Sequence, residues 1–477
     1  MIFKTPLWAH QQKAFERFKD SPEAALFFQP GTGKTGTVIN ILRHKFNSEK
    51  RFLRTLIIGP PVVVRQWKEE FARHSSVDPD KIILLQGEGS KRLKMFQKHS
   101  VDADGQPAGC VFISNYEVLL HKQIFQELLS WAPEAVVWDE SQRIKNPSAK
   151  RTKLAVQLSG IARFRYILTG TPVLQSPLDI FSQFQALDLG QSFGMNFFVF
   201  RAKFFRDANA SMSRQNYFPA WKIRPGSLEE INRIIDAKSM SVLKKDALDL
   251  PPMVREVVKV EMIPSQRKMY EAMKKDLVAF MNDSACIATM ALTKSLRLMQ
   301  LASGYVKTED GKETHIEGSP KAEALRDLLE EITPTGKVNI WAAFRENYAQ
   351  IRRVCDSLGV QYVELHGEVS PKQREVNIDK FRNDPNVKVM IGHAASAGLG
   401  VNLVEAGYTI YFSKNFSLEH ALQSESRNHR GGSREAGHEK ITVIDIVAEG
   451  TIDELILKSL SNKEEVSLSV LRSYLNA

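Results

Sequence analysis

Short apolar runs alternate with helical stretches in two separate blocks of the chain. In the first block the runs are AALFFQ (Ala24–Gln29), TLIIGP (Thr55–Pro60), VFIS (Val111–Ser114), AVVWDE (Ala135–Glu140) and YILTGTP (Tyr166–Pro172). In the second they are VNIWAAF (Val338–Phe344), YVELHG (Tyr362–Gly367), VKVMIGHA (Val387–Ala394), TIYFS (Thr409–Ser413) and ITVIDIV (Ile441–Val447). Runs so rich in Val, Ile, Leu and Phe predict strands buried on both faces of a parallel sheet. Their alternation with helices predicts βαβ units, hence an α/β fold with a parallel sheet in each block. The middle differs. From Gln191 to about Leu248 there is no convincing strand, and FFVFRAKFFRD and INRIIDAKSMSVLKKDAL predict helices. DLPPM (Asp249–Met253) ends that region, because Pro-Pro cannot continue a helix. A strand-like REVVKVEM, a helical SQRKMYEAMKKDLVAFM and a polar connection, KTEDGKETHIEGSP (Lys307–Pro320), follow. The expected division is 1–190, 191–310, 311–450 and a helical 451–477.

Composition narrows the class. The chain has 477 residues, 43% hydrophobic and 25% charged, ordinary for a globular protein. It contains no apolar run of membrane-spanning length, and its N-terminus lacks the apolar core and cleavage site of a signal peptide. Cys110, Cys286 and Cys355 are far apart and odd in number, which argues against a disulfide framework or zinc site and fits a reducing compartment. The net charge of +10 favours polyanionic partners, nucleic acid or anionic membrane.

Three motifs carry chemistry. QPGTGKT (Gln29–Thr35) lies between a predicted strand and a predicted helix. A glycine-rich turn of this kind aims backbone N–H groups and a helix N-terminus at an anion. Pro30, Gly31, Thr32 and Gly33 form the turn; Lys34 would reach the phosphates and Thr35 would ligate magnesium. The full G-x-x-x-x-G-K-S/T pattern asks for glycine where the chain has Phe28, so the match is partial. VVWDESQ (Val136–Gln142) puts Asp139 and Glu140 at the carboxyl end of a buried strand, suited to holding magnesium and orienting water respectively. Such a pair alone is more often a solvated turn; on one sheet with the phosphate loop it gains weight. In QSESRNHR (Gln423–Arg430), a helix would place Arg427 and Arg430 on one face, where they could neutralise charge on a transferring phosphate; a basic solvated helix is the bland alternative.

With these motifs in view, the chain resembles a Swi/Snf-type ATPase of helicase superfamily two, in a minimal bacterial or phage-like form, over nearly its whole length. WAHQQKAFERF resembles the family's opening glutamine motif, and QPGTGKT its own phosphate loop, in which the first glycine is commonly absent. LIIGPPVVVRQWKEEF, VVWDESQRIKNPSAKRTKLA and LTGTPVLQSPLDIFSQFQALD resemble the motifs that follow in lobe one. FFVFRAKFF and VLKKDALDLPPMVREVVKVEMIPSQRKMYEAM resemble the helical insertion and return that generic strand-separating helicases lack. NIWAAF, VELHGEVSPKQREVNIDKF, ASAGLGVNLVEAGYTIYF, QSESRNHRGG and IDIVAEGTIDELIL resemble the motifs of the second lobe in order. The departures are Gln142 where the family has histidine, Ser426 where it often has Asp, and Gly432 where it has Gln.

The resemblance implies two RecA-like lobes, lobe one within 1–190 and lobe two within 311–450. ATP would lie between them, with Gln11, Pro30, Gly31, Thr32, Gly33, Lys34, Thr35, Asp139 and Glu140 from the first and Gln423, Arg427 and Arg430 from the second. It also implies magnesium on Thr35 and Asp139, and a sequence-nonspecific duplex DNA held near Pro61, Arg65, Lys145, Thr169, His366, Ser396 and Asn402. With no room for targeting modules, a minimal motor is expected: a monomer working on DNA in the cytoplasm of a bacterial or phage-infected cell. Arg201, Lys203, Arg206, Arg214, Lys222, Arg224, Lys244 and Lys245 either add a DNA-facing surface or are solvated helix faces. Phe197, Phe198, Phe200, Phe204 and Phe205 are expected in the core. A strand-separating helicase, a branch-migrating or fork-reversing enzyme, and an ATP-gated DNA clamp remain as alternatives.

Overall fold

A computed structural model describes residues 1–461 except 62, 171–176, 211–218, 248–249, 283–287, 308–312, 317 and 396–400. The chain divides into two compact units, Met1–Leu248 and Asp249–Ala477. The segment 191–310, expected as one insertion, is thereby shared between them.

The first unit contains β1 (Glu23–Phe28), β2 (Thr55–Gly59), β3 (Ile82–Leu84), β4 (Val111–Asn115), β5 (Ala135–Asp139), β6 (Phe164–Leu168), β7 (Phe205–Asp207), β8 (Trp221–Ile223) and β9 (Ser239–Val242). Seven of these form one sheet in the order β3-β4-β2-β5-β6-β1-β9, every neighbouring pair parallel. Alternate residues of each strand enter two different cores. Ala25, Phe27, Leu56 and Ile58 pack on one face, and Ala24, Leu26, Phe28 and Ile57 on the other. This is why the runs read as continuously apolar rather than alternating. The helix Val63–His74 buries Val64, Trp67 and Phe71, a stripe at helical spacing, against the second of these cores.

Two strands of the first sheet lie outside the apolar runs read from the sequence. Ile82–Leu84 is only three residues long. Ser239–Val242 lies inside the stretch predicted as one helix; the helix ends at Asp236, and SMSV then pairs in parallel with β1. Its sequence is a weak strand former, and the open edge of β1 decides its conformation, since unpaired backbone groups there must find partners. The predicted helix through FFVFRAKFF is seen at Phe197–Phe204, and Phe200, Phe204 and Phe205 are buried as expected, whereas Phe198 is exposed.

A buried ion network fastens β9 to the sheet. Lys238 Nζ lies 2.5 Å from Glu23 Oε1 and 3.1 Å from Asp188 Oδ2, and Arg165 Nη2 lies 3.0 Å from Glu23 Oε2. Removing one partner of such a set leaves a buried charge uncompensated, which costs far more than the set contributes intact. Lys238→Ala is therefore expected to lower the stability of the first unit by about 3 kcal/mol, read as a shift in urea midpoint at unchanged slope. A change within about 0.5 kcal/mol would show that water compensates Glu23 and Asp188.

The second unit contains β10 (Met253–Val260), β11 (Tyr305–Lys307), β12 (Glu313–His315), β13 (Lys337–Trp341), β14 (Gln361–Leu365), β15 (Val387–Gly392), β16 (Ala406–Tyr411) and β17 (Ile441–Ala448). Six form a parallel sheet in the order β10-β17-β16-β13-β15-β14. The strand-like REVVKVEM thus becomes the edge of the second sheet, paired along its length with β17. Helices Pro264–Asn282, Ala288–Ala302 and Ile452–Ser461 contribute to a further core containing Tyr270, Leu298 and Ile456. No helix among the described residues is long and apolar enough to cross a membrane.

Candidate active site

The phosphate loop leaves β1 and enters the helix Lys34–Ser48. Gly31 and Gly33 have φ of +89° and +81°, which side-chain-bearing residues rarely adopt. A Cβ on Gly33 would also stand 2.2 Å from Gln11 Nε2, so both conformation and space select glycine there. No side chain caps the helix N-terminus, which leaves its first-turn N–H groups to an anion. Phe28, at the position of the first glycine of the full pattern, is fully buried as the last residue of β1. Its carbonyl accepts from Lys34 Nζ at 3.1 Å, so that position serves the lysine through its backbone.

Asp139 ends β5, and Glu140 follows with φ of +51°, a strained left-handed conformation for a residue with a side chain. That turn brings Glu140 Oε1 to 4.0 Å from Lys34 Nζ. Asp139 is 5% exposed and is pushed well above the ordinary carboxylate range, first by burial and then by the charge of Glu140. Lys34 and the indole N–H of Trp67 pull in the opposite direction. A carboxylate in this setting is stabilised in its ionised form by an added cation. With Thr35, the residue after Lys34, it would offer the hard oxygen donors that magnesium takes. Among the described residues no group of three or more His, Cys, Asp or Glu could hold a metal, so a cation here would complete its shell with substrate phosphate and water.

Gln11 braces the loop. Its Nε2 donates to the Gly33 carbonyl at 2.9 Å and its Oε1 accepts from Trp8 N at 2.8 Å. His10 Nε2 lies 2.8 Å from the Thr32 carbonyl, and Thr32 Oγ1 donates to the Gln29 carbonyl at 2.7 Å. Pro30 packs beneath Gly170, where a Cβ would stand 2.7 Å from the proline ring. Gln142 Nε2 donates to Glu140 Oε2 at 2.9 Å, so the residue that departs from the family's histidine contacts the water-orienting candidate directly.

In the second unit the helix Leu418–Glu425 carries Gln423 but stops before the arginines. Arg427 and Arg430 lie in the following turn, which corrects the expectation that they share a helical face. The cause is competition of side chains for backbone carbonyls, both neighbouring and distant in the chain. Ser426 Oγ donates to the Gln423 carbonyl, buried Asn428 Nδ2 donates to the Ala406 carbonyl, and Ser433 Oγ donates to the carbonyl of Arg430. Arg427 is 8% exposed, and its carbonyl accepts from Leu403 N.

The DNA-contact candidates separate into groups. Pro61 is exposed, and Arg65 is exposed with an ion pair to Glu69 at 3.6 Å. Lys145 donates to Asp179 at 3.0 Å, and Asn402 is half-buried with its carbonyl held by Arg382. Thr169 is fully buried, and His366 is 2% exposed and stacked on Tyr348, so neither side chain meets the requirement of a surface phosphate contact. Ser396 lies outside the described residues, as do Arg214 and Cys286. Cys110 and Cys355 are buried, and burial pushes both thiols up to about 12, which makes them inert. Of the basic residues after 190, Lys203 pairs with Glu230, Arg224 donates to the Phe205 carbonyl and Arg201 lies over the Trp221 ring. The N–H of Lys244 donates to Gln29 Oε1, beside the phosphate loop. Arg206 and Lys222 are exposed and directly opposite each other on β7 and β8.

A family model for the SNF2-related domain matches residues 15–306, and one for the helicase conserved C-terminal domain matches 320–432. The chain belongs to the SNF2-related family. It is an ATP hydrolase of the DNA-dependent, helicase-related type. It is 23% identical over 454 residues to the putative protein p41 of Acyrthosiphon pisum secondary endosymbiont phage 1, covering 91% of each chain. It is 27% identical over 440 residues to an uncharacterized ATP-dependent helicase of Mycoplasma pneumoniae, covering 91% of this chain and 39% of that one. A solved SWI2/SNF2 ATPase core of Sulfolobus solfataricus in complex with dsDNA aligns over 99% of this chain and 93% of its own, at 24% identity and a TM-score of 0.44. Apart from the phage protein, the chain spans less than half the length of several curated relatives, 47% of a mouse chromodomain-helicase-DNA-binding protein 1-like among them.

For this SNF2-related chain, two residues of the site lay outside the sequence reading: Trp67 and Tyr116. Trp67 Nε1 donates to Asp139 Oδ2 at 2.8 Å, and Tyr116 Oη donates to the Asp139 carbonyl at 2.9 Å. Trp67 sits within the quoted motif LIIGPPVVVRQWKEEF; its signal was a polar-tipped aromatic on the buried stripe of a helix, which burial alone would explain equally well.

Proposed function

We propose that the chain uses ATP hydrolysis to move along double-stranded DNA without separating the strands. The observation that carries the reading is the unbroken family match through residues 15–306, because it includes the segment after Gln191 that resembles the duplex-tracking branch. Lys34 holds the transferring phosphate, Asp139 and Thr35 hold the cation, and Glu140 orients the attacking water. Magnesium, when bound by Thr35 and Asp139, supplies charge neutralisation at the phosphate. Gln423, Arg427 and Arg430 are assigned to the nucleotide from the second unit, the arginines offsetting charge on the γ-phosphate. Gln11 is assigned to the adenine as well as to the loop it braces.

DNA is gripped through its phosphates, in keeping with the +10 charge, and carries no sequence preference. Pro61, Arg65, Lys145 and Asn402 belong to that grip. The facing Arg206 and Lys222 support an additional contact, since like charges directly opposite on paired strands repel and an anion relieves the repulsion. The chain works on DNA in the cytoplasm of a bacterial or phage-infected cell.

A paired assay under one ATP condition tests the reading. One substrate carries a third strand in the major groove, which a passing duplex motor strips off; the other is a tailed duplex that a helicase opens. The expected result is ATP-dependent third-strand release with little opening of the tailed duplex, because each base-pair step resists opening by about 1.4 kcal/mol. Efficient opening without third-strand release would replace this reading with the strand-separating one.

A further inference from the structure

The helix Val63–His74 faces two ways. Arg65, two residues into it, points to solvent with its side chain 62% exposed, while Trp67 is 1% exposed. The buried indole N–H donates to Asp139 Oδ2 at 2.8 Å. The other carboxylate oxygen accepts from Glu140 N at 3.0 Å, and the Asp139 carbonyl accepts from Tyr116 Oη at 2.9 Å. Asp139 is thus fixed in one orientation, and the only side-chain donor to its carboxylate among these comes from the helix that follows Pro61. The start of that helix also presses on the site. A Cβ at Gly59 would stand 2.6 Å from Val63 Cγ2 and 3.3 Å from Asp139 Cβ, so the glycine permits an approach that a side chain would block.

We propose that Trp67 is a positioning residue: its indole N–H sets the Asp139 carboxylate for the divalent cation and ties that carboxylate to the helix bearing Arg65. A displacement of this helix by DNA would move the hydrogen bond with it, because the indole is locked in the core and cannot swing independently. Partners that orient a metal-binding carboxylate change metal affinity by about 10–100-fold when removed. The inference rests on the nucleotide-site reading above and is independent of whether the motor opens duplexes.

The test follows thermal stabilisation by ADP in the absence of DNA while Mg2+ is titrated. In Trp67→Phe the Mg2+ concentration giving half of the stabilisation should rise about tenfold or more. Because the smaller ring also loosens packing, a second protein carries at position 67 the tryptophan analogue with sulfur in place of the indole N–H, which keeps the shape. The same rise is expected there. Adding duplex DNA should shift the Mg2+ midpoint of the native protein and leave that of the analogue protein unmoved. An unchanged midpoint in the analogue protein, or a DNA-induced shift as large as the native one, would overturn the proposal. A native protein whose ADP stabilisation ignores Mg2+ would overturn both the nucleotide-site reading and this one, whereas failure of third-strand release alone would leave this result standing.

Discussion

Glu140→Gln binds ATP as tightly as the native chain but turns it over about 10²–10⁴ times more slowly. The loss follows from chemistry: the amide cannot accept the proton of an attacking water. Retained binding follows from the geometry. Glu140 lies 4.0 Å from Lys34, and its charge is the second-largest cause holding Asp139 toward protonation. Removing that charge lets Asp139 ionise more readily, so the cation site is strengthened rather than lost. The acid limb of Mg2+-dependent ATP binding should therefore move to lower pH in the variant, since a group whose protonation is less favoured stays anionic further down the scale. Gln142 Nε2, now facing an amide, can still find the new oxygen, so the local fold is kept. Binding isotherms at two pH values and single-turnover hydrolysis measure both halves. Near-native turnover would remove Glu140 from the catalytic assignment, and a loss of ATP binding would make it a binding group.

Lys34→Ala has the complementary effect and loses both steps. Lys34 follows the glycine turn, donating to the Phe28 carbonyl with its ammonium 4.0 Å from Glu140 Oε1. It also pulls Asp139 toward ionisation. Its removal takes away the contact to the phosphates and, at the same time, favours a protonated Asp139 that cannot serve a cation. Nucleotide affinity should fall by about one to two orders of magnitude, the worth of one hydrogen bond to a charged group, and stimulated hydrolysis should become undetectable. DNA binding at low salt should persist, because it depends on phosphate contacts elsewhere. Equilibrium binding of a labelled nucleotide, with DNA binding measured in the same preparation, decides it. Native-like nucleotide affinity would show that the backbone N–H groups of the loop suffice without the lysine.

The two parallel sheets were legible in the chain because strands buried on both faces are dominated by apolar residues, and runs such as TLIIG and AVVW carry that requirement locally. The phosphate loop was legible for a similar reason: Gly31 and Gly33 occupy conformations that glycine tolerates and other residues resist, and Lys34 and Thr35 must follow at fixed spacing to reach one anion. These are constraints within a few residues, and sequence records such constraints directly. What tertiary structure alone decided involves partners far apart in the chain. SMSV became a strand because β1 offered an edge, and REVVKVEM joined the second sheet because β17 did. Thr169 and His366 went into the interior, where their polar atoms are shielded from solvent by packing that no local pattern specifies. Arg427 and Arg430 left the helix because Asn428 found the Ala406 carbonyl, 22 residues earlier. Trp67 met Asp139 across 72 residues of chain; both side chains looked complete in their own segments, one as core and one as a strand-end acid, and only the fold put the indole N–H against the carboxylate.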